Sequence, residues 1–192
     1  MNWLNLAAFV ACTTSEGPGR RAALWVQGCD KRCPGCCNAT YLVIQEREVV
    51  AAAEVVARIA AAKAQYAIEG VTLLGGEPML QARGLADVAA GCRQLGLSVM
   101  TFTGYTVQEL EVVQPGGCEE LLAQTDVLVD GPYLADQPET ARNWVGSRNQ
   151  RFHYLTDRYD PTMETLEAYA PSVEVRLGLQ GRAKINGWPL GQ

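Results

Sequence analysis

With 192 residues, 48 % of them apolar, and a net charge of −5 without a basic run longer than two residues, the chain is expected to form one domain with a full core. It lacks the cationic face that nucleic acid would need. No apolar stretch approaches the roughly 18 residues of a membrane span. The N-terminus carries no signal-peptide pattern and the seven cysteines are odd in number, so a reducing, cytoplasmic setting is expected. In chain order, Arg21 to Gln27 reads as a first buried strand, followed by a cysteine-rich loop. Glu46 to Gln65 reads as the strongest helix, closed by Gly70. Val71 to Leu74 is a short strand running into Gly75-Gly76-Glu77-Pro78. Leu85 to Leu95 is a helix and Leu97 to Phe102 a third strand, ending at Thr103-Gly104-Tyr105. Helix returns across Val107 to Gln124, broken at Pro115-Gly116-Gly117, and Asp126 to Val129 is a fourth strand ending at Asp130-Gly131-Pro132. In the tail, a helix is expected near Pro161 to Tyr169, then a hairpin of Val173 to Leu179 and Arg182 to Ile185 around Gln180-Gly181. Short strands separated by helices predict right-handed βαβ units and a mostly parallel α/β sheet.

The stretch Gly28-Cys-Asp-Lys-Arg-Cys-Pro-Gly-Cys holds the chemistry. Cys29, Cys33 and Cys36 follow a C-x3-C-x2-C spacing on one short loop. Three thiolates so placed can hold three irons of a [4Fe–4S] cluster and leave the fourth iron open to a ligand. A structural zinc site would require a fourth ligand, for which Cys37 and the single histidine, His153, are the nearest candidates. Cys37 directly follows Cys36, so both cannot easily face one metal from an extended backbone. The triplet also admits a disulfide or a purely electron-transferring iron–sulfur protein. An electron carrier of that kind would leave the Gly-Gly-Glu stretch without a role.

Cys29, Gly75, Thr103 and Asp130 each fall just past a predicted strand end. That edge is where parallel α/β sheets and barrels bind ligands. Each feature also has a plainer reading. Gly75-Gly76 suits a tight turn, Thr103-Gly104-Tyr105 a loop, Asp130 a helix cap, and Ser147-Arg148-Asn149-Gln150 a surface loop. Cys12, Cys92 and Cys118 read as buried apolar thiols. The convergence of four features on one edge is what points to a cofactor site.

Taken together, these stretches resemble the radical S-adenosylmethionine enzymes, and among them the activating enzymes of glycyl-radical enzymes. The likeness rests on Gly17-Pro18-Gly19-Arg20-Arg21, Leu24-Trp25-Val26-Gln27-Gly28-Cys29, Cys33-Pro34-Gly35-Cys36 and Gly75-Gly76-Glu77-Pro78. It continues through Thr103-Gly104-Tyr105, Val127-Leu128-Val129-Asp130-Gly131-Pro132-Tyr133 and Gly146-Ser147-Arg148-Asn149-Gln150. These cover residues 16–151 in order, leaving 152–192 as a C-terminal extension of a single radical S-adenosylmethionine domain spanning 1–192. Two positions depart from the pattern: Cys37 replaces a usual aromatic, and Arg148 a usual serine.

The resemblance implies a partial (βα)n barrel, an incomplete TIM-like sheet of about six strands with a C-terminal hairpin extension. It implies a [4Fe–4S] cluster held by Cys29, Cys33 and Cys36, with S-adenosylmethionine on the open iron. Gly75, Gly76 and Glu77 would take the methionine amine. Thr103 and Asp130, with Ser147 and Asn149 as further candidates, would hold its ribose or methionine part. Reductive cleavage by one electron, from a donor such as flavodoxin or ferredoxin, would yield methionine and a 5′-deoxyadenosyl radical that abstracts hydrogen. The hydrogen would come from a glycine of a partner glycyl-radical enzyme or, alternatively, from a peptide or small metabolite.

Overall fold

The computed structural model describes residues 2–177 and 183–187. Seven strands form one sheet: β1 (Trp3–Thr13), β2 (Arg21–Val26), β3 (Glu48–Ala51), β4 (Gly70–Gly75), β5 (Ser98–Phe102), β6 (Val127–Asp130) and β7 (Arg151–Tyr154), in the order β3-β1-β2-β4-β5-β6-β7. The central four, β2, β4, β5 and β6, run parallel. β1 and β3 on one side and β7 on the other are antiparallel additions. Helices α1 (Ala52–Tyr66), α2 (Ala82–Gln94), α3 (Val107–Val113) and α4 (Cys118–Leu122) complete the crossovers. A separate two-stranded ribbon, β8 (Val173–Leu177) and β9 (Ala183–Gly187), follows.

Side-chain alternation along the strands separates two faces. Leu4, Leu6, Leu24, Val26, Val71, Leu73, Val99 and Leu128 turn to one side, where they pack with Val55 and Ile59 of α1, Leu85 and Val88 of α2 and Leu121 of α4. Among the described residues no α-helix packs on the opposite face. Its β5–β6 half, Met100, Val127 and Val129, is covered by Val145, Met163, Trp144, Tyr159 and Tyr169 from the C-terminal third. Its β2–β4 half, Ala23, Trp25 and Leu74, packs with Ala7, Ala8, Val10, Tyr41 and Phe102 and borders open space.

Several elements differ from their sequence expectation. The stretch expected as one helix from Glu46 begins as β3, because β-branched Val49 and Val50 pair with Asn5 and Leu4. Helix α1 starts at Ala52 and ends on Ala67 in the left-handed region, whose N–H donates to the Lys63 carbonyl. Gly70 is therefore not a helix stop but the first residue of β4. A Cβ there would lie 2.1 Å from Ser98 Oγ and 2.9 Å from the Arg21 guanidinium. Strand β1 gave no alternation signal, since both its faces meet apolar surroundings. The tail helix expected near Pro161 is two short 3-10 turns, Pro161–Glu164 and Glu167–Tyr169. The hairpin is present and pairs only with itself. Gly178, Leu179, Gln180, Gly181 and Arg182 of its expected span lie outside the described residues.

Candidate functional site

The open half of the helix-free face is a cavity of about 1200 Å³ whose walls come from the ends of β2, β4 and β5. Cys29, Cys33 and Cys36 line it, as do Gly75, Gly76, Glu77 and Thr103. The cysteine loop is laced onto the strands. Gly28 N–H donates to the Tyr41 carbonyl at 2.8 Å and Cys29 N–H to that of Leu42 at 3.1 Å. The N–H groups of Gly76 and Glu77 donate to the carbonyls of Val26 and Gly28, each at 2.8 Å, and Asn38 Nδ2 donates to the Gly75 carbonyl at 3.2 Å.

That lacing explains the glycine pair. Gly75 sits at φ +135°, and a Cβ on it would lie 2.2 Å from Val26 N. A Cβ on Gly76 would lie 2.1 Å from the Gly28 carbonyl oxygen. Two backbones meet here with no room for a side chain. Gly76→Ala is expected to push the cysteine loop off β4 and cost about 1–3 kcal/mol. A melting curve would show this as a loss of several degrees, with reduced iron retention.

Glu77 is the site's most unusual group. It is buried, its Oε1 accepts from Met79 N–H at 2.9 Å and Thr103 Oγ1 at 2.8 Å, and its Oε2 accepts from Gly104 N–H at 2.8 Å. Burial pushes its carboxyl up to about 7; the three hydrogen bonds oppose that rise only in part, and the Asp30 charge adds to it. No cation pairs with it among the described residues. A carboxylate so held offers its charge to a ligand ammonium.

The thiols differ among themselves. Burial raises Cys29, whereas a hydrogen bond from Cys37 holds Cys36 down to about 6 and pushes the Cys37 thiol up. Cys37 therefore supports its neighbour's thiolate. The loop is also tied outward: Tyr105 Oη donates to Asp30 Oδ2, and Lys31 Nζ lies 2.8 Å from Glu109 Oε1 and 4.0 Å from the Tyr105 ring centroid.

Three expected site residues lie elsewhere. Asp130 ends β6, fully buried; its Oδ2 accepts from Val107 N–H at 2.8 Å and Arg151 Nη2 at 2.9 Å, and its Oδ1 lies 3.2 Å from His153 Nε2. Burial pushes its carboxyl up, but Arg151, the Val107 amide and His153 outweigh that and lower it. Ser147 Oγ accepts from Leu134 N–H at 3.1 Å, and Asn149 Nδ2 donates to the Pro132 carbonyl at 2.8 Å. These three bind the chain behind the wall, while their neighbours Gly131, Tyr133, Gly146 and Gln150 line the cavity itself. Sequence reasoning did not find Trp25, Leu74 and Phe102, which form the apolar floor. Their signal was strand parity: each sits one residue out of phase with its helix-packed neighbours.

The residues fit an iron–sulfur cluster with an additional ligand. Three thiols of one loop share the wall of a cavity larger than a drug-sized pocket, with an uncompensated carboxylate on the same wall. Among the described residues, no group of three or more Cys, His, Asp or Glu side chains is placed to hold a single metal ion.

The chain belongs to the 4Fe-4S single cluster domain family, whose model matches residues 15–153. It is similar to the anaerobic ribonucleoside-triphosphate reductase-activating protein of Salmonella typhi, with 32 % identity over 147 residues that span 73 % of this chain and 92 % of the relative. The Escherichia coli K12 protein of the same name is 30 % identical over 146 residues, with the same two coverages. That of Vibrio cholerae is 30 % identical over 165 residues, covering 80 % of this chain and 99 % of the relative. With this membership, the cofactor of the chain is a [4Fe–4S] cluster. No helix among the described residues is long and apolar enough to cross a membrane.

Proposed function

We propose that the chain is the activating enzyme of an anaerobic ribonucleoside-triphosphate reductase, generating a glycyl radical on that partner. The observation that carries the reading is the shared cavity wall of Cys29, Cys33 and Cys36 with Gly75, Gly76, Glu77 and Thr103. The relatives' name supplies the partner. When bound, the cluster and S-adenosylmethionine supply reductive cleavage of a sulfonium and so the means of hydrogen abstraction. The chain's own residues do the rest.

Cys29, Cys33 and Cys36 would hold the cluster. Glu77, fixed by Met79, Thr103 and Gly104, would face the ligand's ammonium, and the Gly75-Gly76 backbone would let the ligand approach. Trp25, Leu74 and Phe102 give the cavity an apolar floor that excludes water. Asp130, Ser147 and Asn149 act through the loops they fasten, holding Gly131, Gly146 and Gln150 in the wall. We read the open sheet as a partial barrel whose missing wall admits a protein loop, within one domain of core 16–151 and extension 152–192. A flavodoxin- or ferredoxin-like donor would bring the electron, in the cytoplasm.

The test is to incubate the anaerobic holoenzyme with reductant, S-adenosylmethionine and the reductase of the same organism. A glycyl doublet in the paramagnetic resonance spectrum, with release of 5′-deoxyadenosine, is the expected result. Release of 5′-deoxyadenosine without the doublet would favour the second reading, a radical enzyme acting on a peptide or small metabolite. The 39 residues beyond the family match, of which Val173 and the strand Ala183–Gly187 line the cavity, are the observation behind that second reading.

A further inference from the structure

The ribbon of β8 and β9 is amphipathic the wrong way round. Val175 pairs with Ile185 and Leu177 with Ala183, so these apolar residues share one face, while Glu174, Arg176, Lys184 and Asn186 share the other. A ribbon of two strands has too little core of its own to be stable and normally lays its apolar face on the body. Here the polar face makes the contacts. Glu174 Oε1 accepts from Thr14 N–H at 2.8 Å, and Arg176 Nη2 donates to the Cys12 carbonyl at 2.8 Å. Asn186 Nδ2 donates to Thr13 Oγ1 at 3.0 Å and Glu16 Oε1 at 3.1 Å, and Gly187 N–H donates to Glu16 Oε1 at 2.7 Å. Among the described residues nothing covers the apolar face, with Val175, Leu177 and Ile185 exposed by 56 %, 79 % and 68 %.

A contiguous apolar patch fastened outward in this manner marks an interaction surface. Its position names the occupant. Val173, Ala183 and Ile185 line the same cavity as the cysteine triplet, so whatever covers the ribbon reaches the reacting centre. The rim carries Lys184 and Arg47, neither with a carboxylate partner among the described residues, although the chain as a whole bears a charge of −5.

We propose that this face is the docking surface for the partner reductase: an extended segment, apolar with acidic flanks, lies across β8 and β9 and leads its glycine into the cavity. The inference rests on the activase reading above. Apolar contacts with the segment provide affinity, and Lys184 and Arg47 set its direction and speed its arrival.

The experiment uses the holoenzyme carrying Val175→Asp with Leu177→Asp, and separately Lys184→Glu. The first two positions are exposed and stand off the cavity wall, so folding, iron content and reductase-independent 5′-deoxyadenosine release should match the wild type. Affinity for the anaerobic ribonucleoside-triphosphate reductase of the same organism should fall at least tenfold in the double variant. The glycyl-radical yield should fall with it at limiting reductase. Lys184→Glu should slow association several-fold at low salt and little at high salt. If the wild type forms the radical and the double variant binds and activates equally well, the docking surface lies elsewhere. If the double variant instead turns a dimer into a monomer with reductase affinity unchanged, the occupant is a second copy and the proposal is overturned. If the wild type forms no glycyl radical at all, the activase reading itself fails and this inference falls with it.

Discussion

Cys33→Ala is expected to strip the protein of its cluster. Anaerobic reconstitution should leave iron and sulfide near background, and 5′-deoxyadenosine formation should fall more than ~100-fold, since losing a ligand costs more than losing a group behind one. Cys33 is the informative position because Cys36 has a second thiol beside it that is able to stand in. The companion variant Cys37→Ser should retain its iron. Cys37 donates a hydrogen bond to Cys36 and stands exposed; a serine hydroxyl can still donate there, so the change removes a thiol without removing a ligand. Cys92→Ala and Cys118→Ala should also retain iron, for those thiols are buried among the helices of the opposite face. A Cys33→Ala protein that keeps its full iron content would end the three-thiolate reading.

The second large effect belongs to Glu77. Its carboxyl is raised to about 7 in the folded chain against 4.5 as the ordinary value, with burial the main cause. A raised carboxyl favours the protonated folded state. The stabilisation is therefore complete below about pH 4.5 and is lost as the pH climbs through about 7, amounting to something on the order of 3 kcal/mol. For the cluster-free chain, the melting temperature between pH 5 and 8 should fall about 6–12 °C further in the wild type than in Glu77→Gln. A parallel pH dependence of the two proteins would refute the assignment. In the holoenzyme, Glu77→Gln keeps the shape and an acceptor for Gly104 but removes the charge. The KM for S-adenosylmethionine should rise roughly ten- to a hundredfold, the worth of a charge-assisted hydrogen bond. Iron content should stay unchanged.

The site was legible to the degree that its chemistry is local. Cys29, Cys33 and Cys36 lie within eight residues, and Gly75-Gly76-Glu77 and Thr103-Gly104 each follow a strand that its own apolar run announced. Parallel pairing then places those strand ends side by side, because β2, β4 and β5 stand in register with neighbouring crossovers. Asp130, Ser147 and Asn149 were a different case. Each is polar, follows a strand or a motif, and was expected to face the ligand, yet each makes a backbone hydrogen bond within the loops around β6, leaving only the Asn149 Oδ1 atom without a partner among the described residues. Polarity near a strand end does not say whether a side chain turns to the cavity or into the turn that closes it. Strand β1 escaped notice for the opposite reason: with apolar neighbours on both faces, it has no alternation to read.

Residue identity alone, then, settled which atoms are available: three thiols at a spacing fit for a cubane, a carboxylate behind a glycine pair, and an aliphatic chain able to bury a sheet. Those are properties of covalent neighbours, and folding cannot alter them. Which groups meet was decided only in three dimensions. The burial that lifts Glu77, the hydrogen bond that lowers Cys36, the apolar floor of Trp25, Leu74 and Phe102, and the outward turn of the C-terminal ribbon all depend on contacts that form only on folding, most of them between segments far apart along the chain. Dielectric surroundings and exposure are set by such packing, and no local pattern encodes them.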